Sequence, residues 1–266
     1  MSPLTQDLTQ DLTYDRYCDE IIARTDALRD TVRGADLGAT VPTCPDWTLR
    51  ELALHVGRAH RWAGEIVRTR ATEAVPHEQV PDSAPGSDDP AALDAWLADG
   101  AAGTVGALRA AGPEQKVWSW AWEGSTGFWA RRVAHETIVH HADAAVTAGT
   151  GYEVAPALAA DTIEEWLEIV DFARSAGDAQ AAELTGAGRS IHLHATDVPG
   201  AEWLIELGEE GFTWRRAHEK ATVALRGPLT DVMLVFNRRL AADSDRVEVL
   251  GDTELLDFWL ERAAFG

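Results

Sequence analysis

Cysteine is scarce in this chain: Cys18 and Cys44 are the only two among 266 residues, too few for a disulfide framework or a cysteine-rich zinc site. The expectation for both is a reduced, partly buried thiol. Long apolar runs are lacking as well. No stretch of about 18 apolar residues occurs, which excludes a transmembrane helix. The N-terminus, MSPLTQDLTQDLTYDRY, is polar and acidic where a secretory signal is basic and then apolar, so the expected compartment is the cytoplasm. Positive charge is also short, with 23 Lys and Arg against 44 Asp and Glu giving a net charge of -21. Such a surface repels phosphate backbones and anionic membranes, and the expected partners exclude nucleic acid and membrane. An anionic small substrate then requires a local arginine inside a pocket. No repeat of 20 to 50 residues is visible, and the short TQDL duplication is too brief to signify architecture.

What the chain has in quantity is tryptophan and helical periodicity. Eleven Trp are present, and Trp118, Trp120, Trp122 and Trp129 crowd into a short segment for which core packing is expected. Residues 11 to 33 place Tyr14, Tyr17, Ile21, Leu28 and Val32 on one helical face. Thr48 and Glu51 form a capping box at the start of a second helix, whose stripe runs Leu52, His55, Val56, Ala59, Trp62, Ala63 and Ile66. Asp89 and Pro90 open a third helix through Leu93, Trp96, Leu97, Val105 and Leu108. A fourth is expected from near Phe128 to about Val146, with Trp129, Val133, Glu136, Thr137, His140 and Ala144 inward. Four such helices in series predict a four-helix bundle.

The pattern changes at TAGTGYEV. A helix over about 156 to 174 leads into period-two alternation at Ile191, Leu193 and Ala195, and again at Trp203, Ile205 and Leu207. VALRGP, a helix near Leu229 to Leu240, the strand VEVL and a final helix from about Thr253 complete an α+β region. The predicted fold class is mainly α with an α+β second domain: a bundle over residues 1-150 and a small α+β domain over 151-266.

Three polar residues sit on stripes that should be apolar. Glu136 and His140 are four apart, so they are rotated by only about 40 degrees and separated by about 6 Å along the helix axis. Both can reach one point. An unpaired carboxylate and imidazole are costly to bury, and a divalent cation removes the cost. His55 adds a third ligand from another helix, which leaves an open position on a tetrahedral metal, as in catalytic zinc; iron, nickel or cobalt also suit this donor set. The alternative is a hydrogen-bonded core histidine at 55 and an ion pair of Glu136 with Arg132. AHETIVHH differs from the metalloprotease signature because His135 and His140 are five apart. His141 is expected to face elsewhere and His60 to leave the stripe as a surface or packing element. His192 and His194 share one face of a strand, a spacing able to bind metal but explained more cheaply by the solvated outer face of a sheet. Asp143, three residues after His140, is placed to orient an imidazole.

CPDWTLRELALHVGRAHRW followed at a distance by WARRVAHETIVHHADA resembles the mycothiol-dependent maleylpyruvate isomerase family of actinobacteria, within the DinB-like bundle superfamily. HLHATDVPGAEWLIEL, ATVALRGPLTDVMLVFNRRL and VEVLGDTELLDFW are similar to that family's smaller C-terminal α+β domain, so the resemblance covers nearly the whole chain. It implies zinc on His55, Glu136 and His140, and mycothiol, a low-molecular-weight thiol, as cofactor or co-substrate. It further implies an arginine of the C-terminal domain that holds the substrate carboxylates: Arg238 by preference, otherwise Arg239 or Arg226.

The expected function is therefore that of a zinc-dependent enzyme on a small molecule. Zinc lowers the thiol pKa from about 8.5 and yields a nucleophile at neutral pH. In an isomerase the thiolate adds to a cis double bond, the single bond rotates and the thiol leaves; in a mycothiol S-transferase the sulfur stays on an electrophile. The alternative from another class is a non-enzymatic metal-binding bundle whose C-terminal domain binds a ligand or partner. Either a monomer or a homodimer is compatible with the sequence.

Overall fold

The computed structural model describes residues 8–186 and 188–264. The N-terminal signal reading and the start of the TQDL duplication lie outside the described residues. The chain forms two compact units, one over Leu12–Tyr152 and the other over the residues from Glu153 onward, with which the described residues up to Asp11 are grouped.

The first unit holds helices α1 (Tyr14–Arg33), α2 (Leu49–Thr69), α3 (Pro90–Ala111) and α4 (Thr126–Ala148), with a hairpin of β1 (Thr40–Val41) and β2 (Cys44–Thr48) between α1 and α2. Each helix start has a local cause. Thr13, Asp89 and Ser125 accept backbone N–H bonds as N-caps, and Thr48 and Glu51 complete the capping box. Helix α4 begins two residues earlier than its apolar stripe suggests, because Ser125 takes the cap.

Two apolar clusters fill the bundle, one around Cys18, Ile21, Ile66, Leu108 and Trp129, the other around Leu28, Leu52, Val56, Trp96 and Leu97. In sequence, α1, α2 and α4 each carry a buried polar residue between their contributions to the two, namely Thr25, His60 and Thr137, and α3 adds the buried Thr104. His60 Nε2 lies 2.8 Å from Thr137 Oγ1, and Thr104 Oγ1 donates to the His60 carbonyl at 2.6 Å. His60 is thus a packing element with no exposure at all, and burial pushes its pKa down to about 4. The tryptophans divide. Trp129 is core, Trp118 and Trp120 pack partly buried against it, and Trp122 is 44% exposed. Both cysteines are free, Cys18 buried and Cys44 half-buried.

The second unit contains α5 (Pro156–Ser175), then β3 (Arg189–Ala195), β4 (Glu202–Leu207), β5 (Phe212–Arg216), β6 (Val223–Gly227), α6 (Leu229–Phe236), β7 (Glu248–Gly251) and α7 (Thr253–Arg262). The five-stranded sheet has the order β5-β4-β3-β6-β7, with β3 and β6 parallel and the other pairs antiparallel. One face presents Ile191, Leu193, Trp203, Ile205, Val223 and Leu225, all fully buried. Phe236 and Phe212 meet Trp259 of α7 at ring-centroid distances of 5.7 and 4.8 Å. Helix α6 ends at Phe236, four residues before the periodicity suggested, since Asn237 caps it and Arg238 turns to the left-handed region at φ 62°. No helix among the described residues is long and apolar enough to cross a membrane.

Candidate functional site

Helices α2 and α4 bring His55, Glu136 and His140 together. His55 Nε2 lies 2.8 Å and His140 Nε2 3.2 Å from the same Glu136 oxygen, Oε1, and the three atoms sit within 4.8 Å of one another. The i,i+4 relation accounts for the pair on α4. The third group follows from the capping box, which sets the start of α2 and hence the face on which His55 emerges.

The other expected partner of Glu136 is also present: Arg132 donates to Oε2 at 2.6 Å. One carboxylate thus serves both readings, its Oε2 fixed by the guanidinium and its Oε1 turned to the imidazoles. Asp143, without exposure, accepts from His140 Nδ1 at 2.8 Å and from Thr43 Oγ1 at 2.5 Å. This holds the His140 ring with Nε2 directed at the cluster.

The electrostatics fit a cation. Burial disfavours charge on both Glu136 and His140, yet their mutual attraction, with help from His55 and Arg132 on one side and Asp143 on the other, more than offsets it. Glu136 is held well below the usual carboxylate range, and His140 is pushed up to about 9. The pocket therefore favours a positive charge between the carboxylate and the rings. Two imidazole nitrogens and a carboxylate oxygen are a donor set for zinc and neighbouring transition metals. The His55 side chain is 37% exposed while that of His140 is 9% exposed, so the cluster opens to one side at His55.

Several neighbours were not legible. Trp47 places its ring 4.7 Å from His55 and 6.1 Å from His140, centroid to centroid, and forms a wall of the cluster. Thr43 and Trp47 arrive on the β1–β2 hairpin, where Pro42 and Pro45 obscure any strand pattern. The remaining histidines of the bundle stand apart from the cluster: His141 lies 3.5 Å from Thr31 Oγ1 and against the Tyr152 ring, and His135 packs on Tyr17.

The candidate arginines of the second unit differ in their engagements. Arg226 pairs with Glu248 at 3.2 Å and Arg239 donates to the Asn237 carbonyl at 2.8 Å. Arg238 is exposed. His192 corrects the expectation of a solvated sheet face, because it is only 6% exposed and faces Glu202.

Fold and site together define a helical bundle with a His–Glu–His cluster, followed by a small α+β unit. The mycothiol maleylpyruvate isomerase N-terminal domain matches residues 18–145 and the C-terminal domain of the same family matches residues 157–258, so the chain belongs to this family. Two solved structures are similar over 91% of this chain and 94% of theirs, each at 17% identity and a TM-score of 0.56. One is a mycothiol-dependent maleylpyruvate isomerase and the other a histidine-to-alanine mutant of such an enzyme. No curated protein matches the chain.

Proposed function

We propose that this protein is a zinc-dependent, mycothiol-utilising isomerase that converts a small cis-unsaturated diacid to its trans form. The observation that carries the reading is the convergence of His55, Glu136 and His140 at a point open on one side. Bound zinc supplies an open coordination position that lowers the pKa of a thiol. The protein's own groups do the rest. Arg132 and Asp143 fix the ligands from behind, and Trp47 walls one side of the cluster. We assign to Arg238 the holding of a substrate carboxylate. It carries no ion pair among the described residues, whereas Arg226 is committed to Glu248.

The test follows a cis-unsaturated diacid with and without mycothiol while free thiol is measured. Thiol-dependent isomerisation without thiol consumption is expected. Stoichiometric loss of thiol to an electrophile would instead make the protein an S-transferase, and absence of thiol dependence with zinc bound would sink both. In the same assay Arg238→Ala should raise KM for the diacid and leave zinc content unchanged, since it removes a charge-assisted contact and not the nucleophile.

Asp143→Asn provides an independent check. An amide in place of the carboxylate no longer anchors the His140 Nδ1–H as a charged acceptor, so zinc affinity should fall by about 10- to 100-fold. Equilibrium titration with a competing chelator measures this, and unchanged affinity would remove Asp143 from the site.

A further inference from the structure

The second unit carries a cluster that the proposed reaction does not use. His192 Nε2, His194 Nδ1 and His218 Nδ1 lie 3.0, 2.9 and 2.5 Å from a single oxygen, Oε2 of Glu202. All four ligand atoms fall within 4.8 Å of one another. The topology produces this convergence. His192 and His194 are alternate residues of β3 and share a face; Glu202 is the cross-strand partner of His194 on β4; and His218 follows the end of the edge strand β5 by two residues. Across β3 on the other side, His194 is in register with Arg226, whose guanidinium is turned to Glu248.

Hydrogen bonding alone explains this arrangement poorly. One carboxylate oxygen has two lone pairs, and here three ring nitrogens crowd it. Four atoms bound tetrahedrally at about 2.0–2.1 Å from zinc stand about 3.3 Å apart, so the spacings of 2.5–3.0 Å to Glu202 Oε2 would open by a few tenths of an ångström, while any wider spacing among the four atoms, none beyond 4.8 Å, would close.

We infer that His192, His194, Glu202 and His218 form a second divalent transition-metal site, of zinc type, confined to the C-terminal unit. Four protein ligands complete a tetrahedron and leave no open position, which is the form of a structural site. Its effect is to tie β3, β4 and the segment after the edge strand β5 to one another. The site is independent of the bundle cluster and of the isomerase reading.

The experiment uses the full chain, stripped with a chelator and titrated with zinc, and with cobalt as an absorbing probe. A zinc equivalent that survives His140→Ala but is lost in the His194→Ala/His218→Ala double variant is expected. Glu202→Gln keeps a hydrogen-bond acceptor while removing the anionic ligand, and should weaken that equivalent by about tenfold or more. The His218 side chain is 75% exposed, so His218→Ala alone tests the site without threatening the fold. It should weaken the same equivalent and lower the zinc-dependent gain in Tm. If the double variant keeps every zinc equivalent of the parent, or if His140→Ala alone abolishes all binding, the second site does not exist. Zinc bound only through the second site would leave this inference standing and remove the isomerase reading instead.

Discussion

The His140→Ala variant is expected to lose thiol-dependent turnover and to bind zinc about 100-fold or more weakly at the bundle site, because a ligand is removed rather than one of its supports. The fold should survive. His140 contributes little apolar packing, and the carboxylate it leaves behind, Asp143, keeps the Thr43 hydroxyl at 2.5 Å. The loss of the 2.8 Å contact with His140 leaves a buried acceptor partly unmet, a cost of about 1–3 kcal/mol. Zinc content, turnover and urea unfolding on the same preparation separate these effects. A folded variant with full activity would exclude His140 as a ligand. Arg132 stays on Glu136 in this variant, so the drop reads the missing imidazole and not a rearranged carboxylate.

The second large effect is on stability, at Gly57→Ala. Helix propensity alone predicts a gain of about 1 kcal/mol for replacing a glycine within a helix. Packing reverses the sign. A Cβ at position 57 would lie 2.1, 2.5 and 2.8 Å from three atoms of the Trp96 ring. That ring has little freedom to move, since its Nε1 donates to the Asp82 carbonyl at 2.7 Å and the Arg61 guanidinium stacks 4.0 Å from its centroid. The helices α2 and α3 must separate, and overpacking of this kind costs about 1–3 kcal/mol or more. We expect a net destabilisation of about 2 kcal/mol by chemical denaturation. Because His55 lies two residues before Gly57, zinc affinity should fall as well. A variant as stable as the parent would show that α2 and α3 do not depend on this contact.

Much of the fold was legible because it is written in local terms. The capping box at Thr48 and Glu51, the Asp89–Pro90 start and the inward stripes of α1 to α4 depend on residues within a turn of one another. The i,i+4 spacing of Glu136 and His140 belongs to the same class, and so does the anomaly of a histidine at 55 on an apolar stripe. Helix α6 was overextended for the opposite reason: its apolar pattern continues to Leu240, while the chain reverses at Arg238.

The remaining features depend on which distant segments meet. His60 departs from the main stripe of α2, yet α3 and α4 supply Thr104 and Thr137 to bury and bond it. Thr43 and Trp47 enter the candidate site on a hairpin whose prolines hide its pairing. Strand β5 and the approach of His218 to Glu202 were likewise invisible, because cross-strand register sets that contact across 16 residues of sequence. The sequence alone determined the helices, their caps and the three polar intrusions into an apolar face, since periodicity and capping are short-range. Only the tertiary structure decided which side chains surround those intrusions and that three imidazoles share one carboxylate oxygen on the sheet, because pairing register and helix packing are set by contacts between segments.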